Sequence, residues 1–139
     1  MDDLLKDLIE YAIQKRASDI HFVLQNERLQ IQLRTQNEMI DVYQDIWKPS
    51  FFEYLKFISQ MDLTNPYTPQ SGQFKVYLHN HDIFCRFSIL HNHNIQTGVI
   101  RLLNTKQAIQ LHELSLWKKD TEFFQSLIPL RQGLVLCVG

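Results

Sequence analysis

The sequence predicts an α+β fold, an antiparallel sheet with flanking helices. Two patterns carry that expectation. Between Pro69 and Leu103, three apolar runs alternate with polar residues and are separated by short polar turns, Lys75–Leu78, Ile83–Leu90 and Gln96–Leu103. Before them, Leu4, Leu5, Leu8, Ile9, Ala12 and Ile13 recur at helical spacing, as do Phe51, Tyr54, Leu55, Ile58 and Met61. A strand sends successive side chains to opposite faces, whereas a helix gathers every third or fourth one into a stripe.

The first helix is predicted after Asp2 and Asp3, whose charges suit the positive end of its dipole, with Lys15 and Arg16 at the other end. Ile20, Phe22 and Leu24 then alternate as a strand, placing Asp19, His21 and Val23 on the opposite face. Asn26-Glu27 is a plausible turn into a second strand, where Leu29, Ile31 and Leu33 face inward. Met39 to Tyr43 suits a short third strand. Trp47-Lys48-Pro49-Ser50 interrupts the pattern before the second helical stripe. Phe51, Phe52, Tyr54 and Phe57 are more aromatics than one helix face needs, so some are expected to pack outside the core. Asn65-Pro66 and Thr68-Pro69 mark a loop.

In the three runs that follow, Phe74, Val76 and Leu78 share a face, as do Ile83, Cys85, Phe87 and Ile89. Ile100 and Leu102 oppose Val99, Arg101 and Leu103. Alternation therefore sets Arg86 and Arg101 on a common outer face, where paired guanidiniums suit an anion, phosphate above all. Two solvated surface arginines are the plain alternative. Asn104 to Ser115 reads as irregular or briefly helical, and Asp120 to Ile128 as a short helix ended by Pro129. Gly133 to Gly139 is a continuous apolar run of the kind found in a central parallel strand. Such a strand needs neighbours, so the chain reads as cut at a strand end.

The 139 residues, 45% of them hydrophobic, suffice for one ordinary domain, and a net charge of −1 offers no global basic field for nucleic acid. No run is long enough to span a membrane. Cys85 and Cys137 lie in apolar runs and read as reduced core thiols. His79-Asn80-His81 and His91-Asn92-His93 resemble metal ligands, but they flank the Ile83–Leu90 strand. At strand rise the two pairs stand about 30 Å apart and cannot share an ion. No metal site is expected.

Several segments, in order, resemble the N-terminal region of the secretion and type IV pilus traffic ATPases. Ala17-Ser18-Asp19-Ile20-His21 matches that family's A-S-D-I-H. Pro69-Gln70-Ser71-Gly72-Gln73 is similar to P-Q-D-G-R, Arg86-Phe87-Ser88 to R-V-S, and Arg101-Leu102-Leu103 to R-L-L. Gly133–Gly139 resembles the strand leading into a Walker A loop. The short leader before Ala17 is most similar to the competence DNA-uptake ATPases of Gram-positive bacteria.

The resemblance implies a PAS-like N-terminal domain over residues 1–105. It implies a linker, a short helix and the first strand of a truncated RecA-like domain over 106–139. It further implies that Arg86, Arg101 and Gln73 face nucleotide phosphates. Gln73 stands where the family carries arginine, and Ser71 where it carries aspartate, so the phosphate-facing set is depleted. ATP and Mg²⁺ belong to the full-length protein, whose phosphate loop, metal-site acid and catalytic glutamate would lie beyond Gly139. These 139 residues alone are expected to be inactive, with no catalytic residue among them. The implied partners are the chain's own C-terminal RecA-like domain, five further copies in a homo-hexamer, and a polytopic inner-membrane platform protein. Direct nucleic-acid binding is not expected, and the implied location is cytoplasmic, peripheral to the membrane. A free-standing PAS-like ligand sensor and a structural interaction module remain as other function classes for the same fold.

Overall fold

The computed structural model describes residues 1–42, 46–65, 67–103, 117–136 and 138. It contains α1 (Asp2–Gln14), β1 (Asp19–Gln25), β2 (Arg28–Arg34), β3 (Met39–Asp41), α2 (Pro49–Ile58), β4 (Gln70–Leu78), β5 (His81–Asn92), β6 (Ile95–Leu103) and α3 (Lys118–Leu127). The chain divides into two compact units, Met1–Asn104 and Thr105–Gly139.

In the first unit the strands form one 6-stranded sheet in the order β3-β2-β1-β6-β5-β4, with every neighbouring pair antiparallel. The chain therefore runs outward from the central β1–β6 seam through β1, β2 and β3, then re-enters at the β4 edge and returns to the seam through β5 and β6. Three hairpins of two-residue loops set the register. Asn26 and Glu27 have φ of 49° and 61°, and His79 and Asn80 have 48° and 65°. Both central residues being left-handed is the turn geometry that matches strand twist. His81, His91 and Asn92, expected in turns, are instead the ends of a longer β5.

Both long helices pack on one sheet face, α1 against β4 and α2 across β1, β2 and β4. The predicted stripe of α1 buries Leu5, Leu8, Ile9 and Ala12. Pro49, expected to break the pattern, starts α2 instead. Its missing N–H costs nothing in a first turn that has no acceptor for it. Phe51 and Phe52 are wholly buried while Phe57 is 67% exposed, so the aromatic excess of α2 is divided between core and surface. The Tyr54 hydroxyl of α2 donates to the Asp2 carboxylate of α1.

At the core's centre the Phe52 and Phe87 rings meet edge to face at 5.6 Å, and Phe22 meets Phe87 at 6.0 Å. Gly98 of β6 makes this possible. A Cβ there would lie 2.7 Å from Phe87 and 2.8 Å from Phe52. Gly72 of β4 similarly admits the end of α2, where a Cβ would overlap the Ser59 carbonyl oxygen.

In the second unit α3 forms close to where it is predicted. The described residues of the apolar run after it, 133–136 and 138, are not in a strand. Residues 134–136 and 138 carry no ladder, and Leu134, Leu136 and Val138 are 81%, 75% and 93% exposed. An apolar strand of this type is held by strands on either side and by layers above and below. Residues 104–116, expected to be irregular or briefly helical, lie outside the described residues, as do Tyr43, Cys137 and Gly139.

Candidate functional site: a guanidinium row on the open sheet face

The outer face of the sheet is built by the same alternation that fills its inner face. In β5, Ile83, Cys85, Phe87 and Ile89 are buried while Asp82, Phe84, Arg86 and Leu90 are exposed. In β6, Ile100 is buried and Arg101 exposed.

Register then brings the predicted residues side by side. Gln73 pairs with Arg86, Arg86 with Arg101, Arg101 with Asp19, and Asp19 with Arg34. All lie in one row crossing β4, β5, β6, β1 and β2. Directly opposed side chains of an antiparallel pair have Cβ atoms about 5 Å apart, and like charges so placed cost up to about 1 kcal/mol. Arg86 opposite Arg101 is therefore an arrangement that a bound anion would relieve.

Each arginine is held at its Nε. Arg101 donates Nε–H to Asp19 Oδ1 at 2.8 Å, and Arg86 donates Nε–H to Ser71 Oγ at 2.9 Å. Ser71 Oγ in turn lies 3.0 Å from Ser88 Oγ. The Asp19 side chain is 5% exposed and that of Arg101 is 63% exposed, so the pair is closed at the carboxylate and open at the guanidinium. Burial would raise the Asp19 carboxyl. Hydrogen bonds from Arg101 and Ser18, and the Arg101 charge, outweigh burial and hold it below its ordinary value of 3.8. The backbone locks the same corner, with Ser18 N–H donating to Arg34 O at 2.8 Å and Leu102 N–H to Ser18 O at 3.1 Å.

Asp19 and Arg34 are members of the row that spacing did not reveal. Alternation placed Asp19 on the outer face of β1 and named no partner for it. In fact it is the counter-ion of Arg101. His21 shares the Asp19 face as expected, but its Nε2 is buried with no hydrogen-bond partner among the described residues. His81 and His91 sit at opposite ends of β5, as the spacing required, and among the described residues no three metal-ligating side chains converge.

Beside the arginine row runs a second rung, Lys75–Phe84–Leu103. Phe84 is 51% exposed, so the open face mixes cations with apolar surface. The row holds donors and positive charge fit for phosphate oxygens. The Cys85 thiol points into the core, where burial pushes its pKa up to about 12. The row's chemical capacity is anion recognition and electrostatic stabilisation.

A face of paired, tethered arginines on an α+β domain has the chemistry of anion recognition. The chain belongs to the family described as Type II/IV secretion system protein, which it matches over residues 1–139. It is 28% identical over 140 residues to the protein transport protein HofB homolog of Haemophilus influenzae, covering 98% of this chain and 30% of that protein. It is 27% identical over 142 residues to the competence protein ComGA of Bacillus subtilis, covering 100% of this chain and 40% of that one. With the type II secretion system ATPase E of Vibrio cholerae it shares 24% identity over 139 residues, covering 98% of this chain and 28% of that one. The chain thus spans well under half the length of these relatives. The X-ray structure of the Legionella pneumophila ATPase DotB superposes with a TM-score of 0.55 at 12% identity, covering 88% of this chain and 34% of that one, which is a likeness of fold. Among the described residues no helix is long and apolar enough to cross a membrane.

Proposed function

We propose that this chain is the N-terminal regulatory domain of a nucleotide-driven secretion or pilus motor, and that its open sheet face closes over the phosphates of ATP. The observation that carries the reading is the register match of Arg86 to Arg101 on the exposed face. Two guanidiniums held side by side on a rigid sheet meet phosphate oxygens with little further ordering cost. The exposed Phe84 beside them fits a face covered by another protein surface.

In this reading residues 1–105 are a PAS-like domain, and residues 106–139 lead into a RecA-like domain that holds ATP and Mg²⁺. The bound nucleotide supplies the anionic charge that the row answers. Arg86 and Arg101 stabilise it, and Gln73 contributes hydrogen bonds without charge. Anchoring the sheet to a phosphate couples nucleotide state to domain rotation. The assembly is a homo-hexamer at the cytoplasmic face of the membrane, acting on an inner-membrane platform protein. Similarity to ComGA supports pilus assembly for DNA uptake, and similarity to the type II secretion proteins supports secretion. Phosphoryl transfer itself falls outside these 139 residues.

The test is nucleotide binding and turnover in the complete protein. Arg86→Ala and Arg101→Ala are each expected to weaken ATP binding and to lower turnover by about tenfold or more, as loss of one charge-stabilising group does. Wild-type binding and turnover in both variants would refute the reading.

A further inference from the structure

We propose that Ser71 and Asp19 are positioning residues, each fixing one arginine of the row by its Nε so that the end of the guanidinium is aimed at an anion above the sheet. This rests on the phosphate-facing reading of Arg86 and Arg101 and explains how that pair stays organised.

Three observations carry it. Among the described residues both arginines use Nε, not the terminal nitrogens, in their side-chain contacts on the sheet. An Nε contact spends a single donor and sets the plane of the fork, leaving the terminal pair as the part that meets a planar or tetrahedral oxyanion. Both acceptors come from the neighbouring strand on the far side of the pair. Ser71 lies on β4 beside β5, and Asp19 on β1 beside β6, so the arginines are gripped from opposite flanks. Both acceptors are themselves held, Ser71 by Ser88 Oγ at 3.0 Å and Asp19 by Ser18 Oγ at 2.8 Å.

The two grips differ in charge. Asp19 offsets the charge of Arg101, whereas the Ser71 hydroxyl leaves that of Arg86 intact. Arg86 is accordingly the stronger anion contact of the two. A carboxylate at position 71 would keep the grip but cancel that charge.

The experiment has two readouts. The first uses this chain and follows the arginine Nε–H signals by ¹⁵N NMR. Ser71→Ala is expected to shift the Arg86 Nε–H signal and speed its solvent exchange, leaving that of Arg101 in place, while Ser71→Thr restores it. On acidification the Arg101 signal follows the Asp19 carboxyl and that of Arg86 does not. The second readout is the Kd for ATP in the complete protein. Ser71→Ala and Ser71→Asp are expected to raise it by about three- to tenfold, the worth of one such hydrogen bond or charge contact, with Ser71→Thr near wild type. An Arg86 signal and a Kd both unmoved by Ser71→Ala would overturn the proposal. If Arg86→Ala weakens binding while Ser71→Ala does not, the tether alone is wrong. If Arg86→Ala itself changes nothing, the phosphate-facing reading falls and takes the tether with it.

Discussion

Asp19 and Arg101 are 82 residues apart in sequence and directly opposed across β1 and β6, with Nε to Oδ1 at 2.8 Å. The contact joins the two halves of the sheet, because among the described residues the β1–β6 seam is the only ladder between the β1–β2–β3 set and the β4–β5–β6 set. The same pair thus ties the sheet together and orients the Arg101 guanidinium.

Stability should therefore fall in acid in a way that depends on Asp19. Its carboxyl is held below 3.8 in the folded protein. The unfolded chain then binds the proton more readily, so the contribution is fully present above the ordinary carboxylate range. It is lost as pH falls through the lowered folded value. Urea unfolding from pH 6 to pH 2 should show a loss in wild type that is smaller in Asp19→Asn. At pH 7, Asp19→Ala should cost about 1–3 kcal/mol, the range for leaving a hydrogen-bonded group without its partner. An identical acid profile in Asp19→Asn would show that other carboxyls control it.

The hairpin at Asn26-Glu27 stores a removable cost. Glu27 has φ 61°, a conformation that penalises any residue with a Cβ and suits glycine. Glu27→Gly should stabilise the protein by about 0.5–1 kcal/mol, read as a higher urea midpoint at unchanged slope. The same change at Val23, in the middle of β1, should destabilise it.

How much of this was legible in the sequence depends on the range of the physics involved. The inward positions of β5 follow from alternation alone, which is a property of the chain's own backbone, and so does the outward placement of Arg86 and Arg101. The pairing of Arg101 with Asp19 depends on β1 lying beside β6, and strand order is not written in any single strand. Arg34 entered the row for the same reason. Pro49 misled because a proline that would interrupt a helix interior is also well suited to a first turn. The apolar run after α3 is a different case. Its composition states what surroundings it would need, and composition cannot supply the ladder.

The Cys85 thiol should be inert in the native state and act as a reporter of opening. Burial holds it neutral, with a pKa pushed up to about 12. Because the thiolate is the reactive form, site-resolved alkylation at Cys85 near pH 8 should proceed only through opening of the sheet. Its rate should rise in step with destabilising variants. The linkage has the reverse sign to that of Asp19. Stability is intact below the ordinary thiol value of 9.0 and declines as pH rises toward 12, because the unfolded chain ionises first. Cys85→Ala should remove its own share of that decline and leave the share of Tyr54, which burial and the Asp2 carboxylate likewise push up to about 12. Alkylation of Cys85 at the rate of an unfolded control would place the thiol outside the core.

Gly98 and Phe87 should be energetically coupled. A methyl group at 98 would press on the rings of Phe87 and Phe52 from β6, where neither ring can retreat without leaving the aromatic cluster. Gly98→Ala alone should cost about 1–3 kcal/mol by overpacking. Phe87→Leu alone should cost a similar amount through the space it opens. Together they should cost less than their sum, because the added methyl enters part of the vacated volume. A double-mutant cycle in urea measures this as a coupling of about 1 kcal/mol or more. Strict additivity would mean that the ring of Phe87 does not define the space that glycine leaves at position 98.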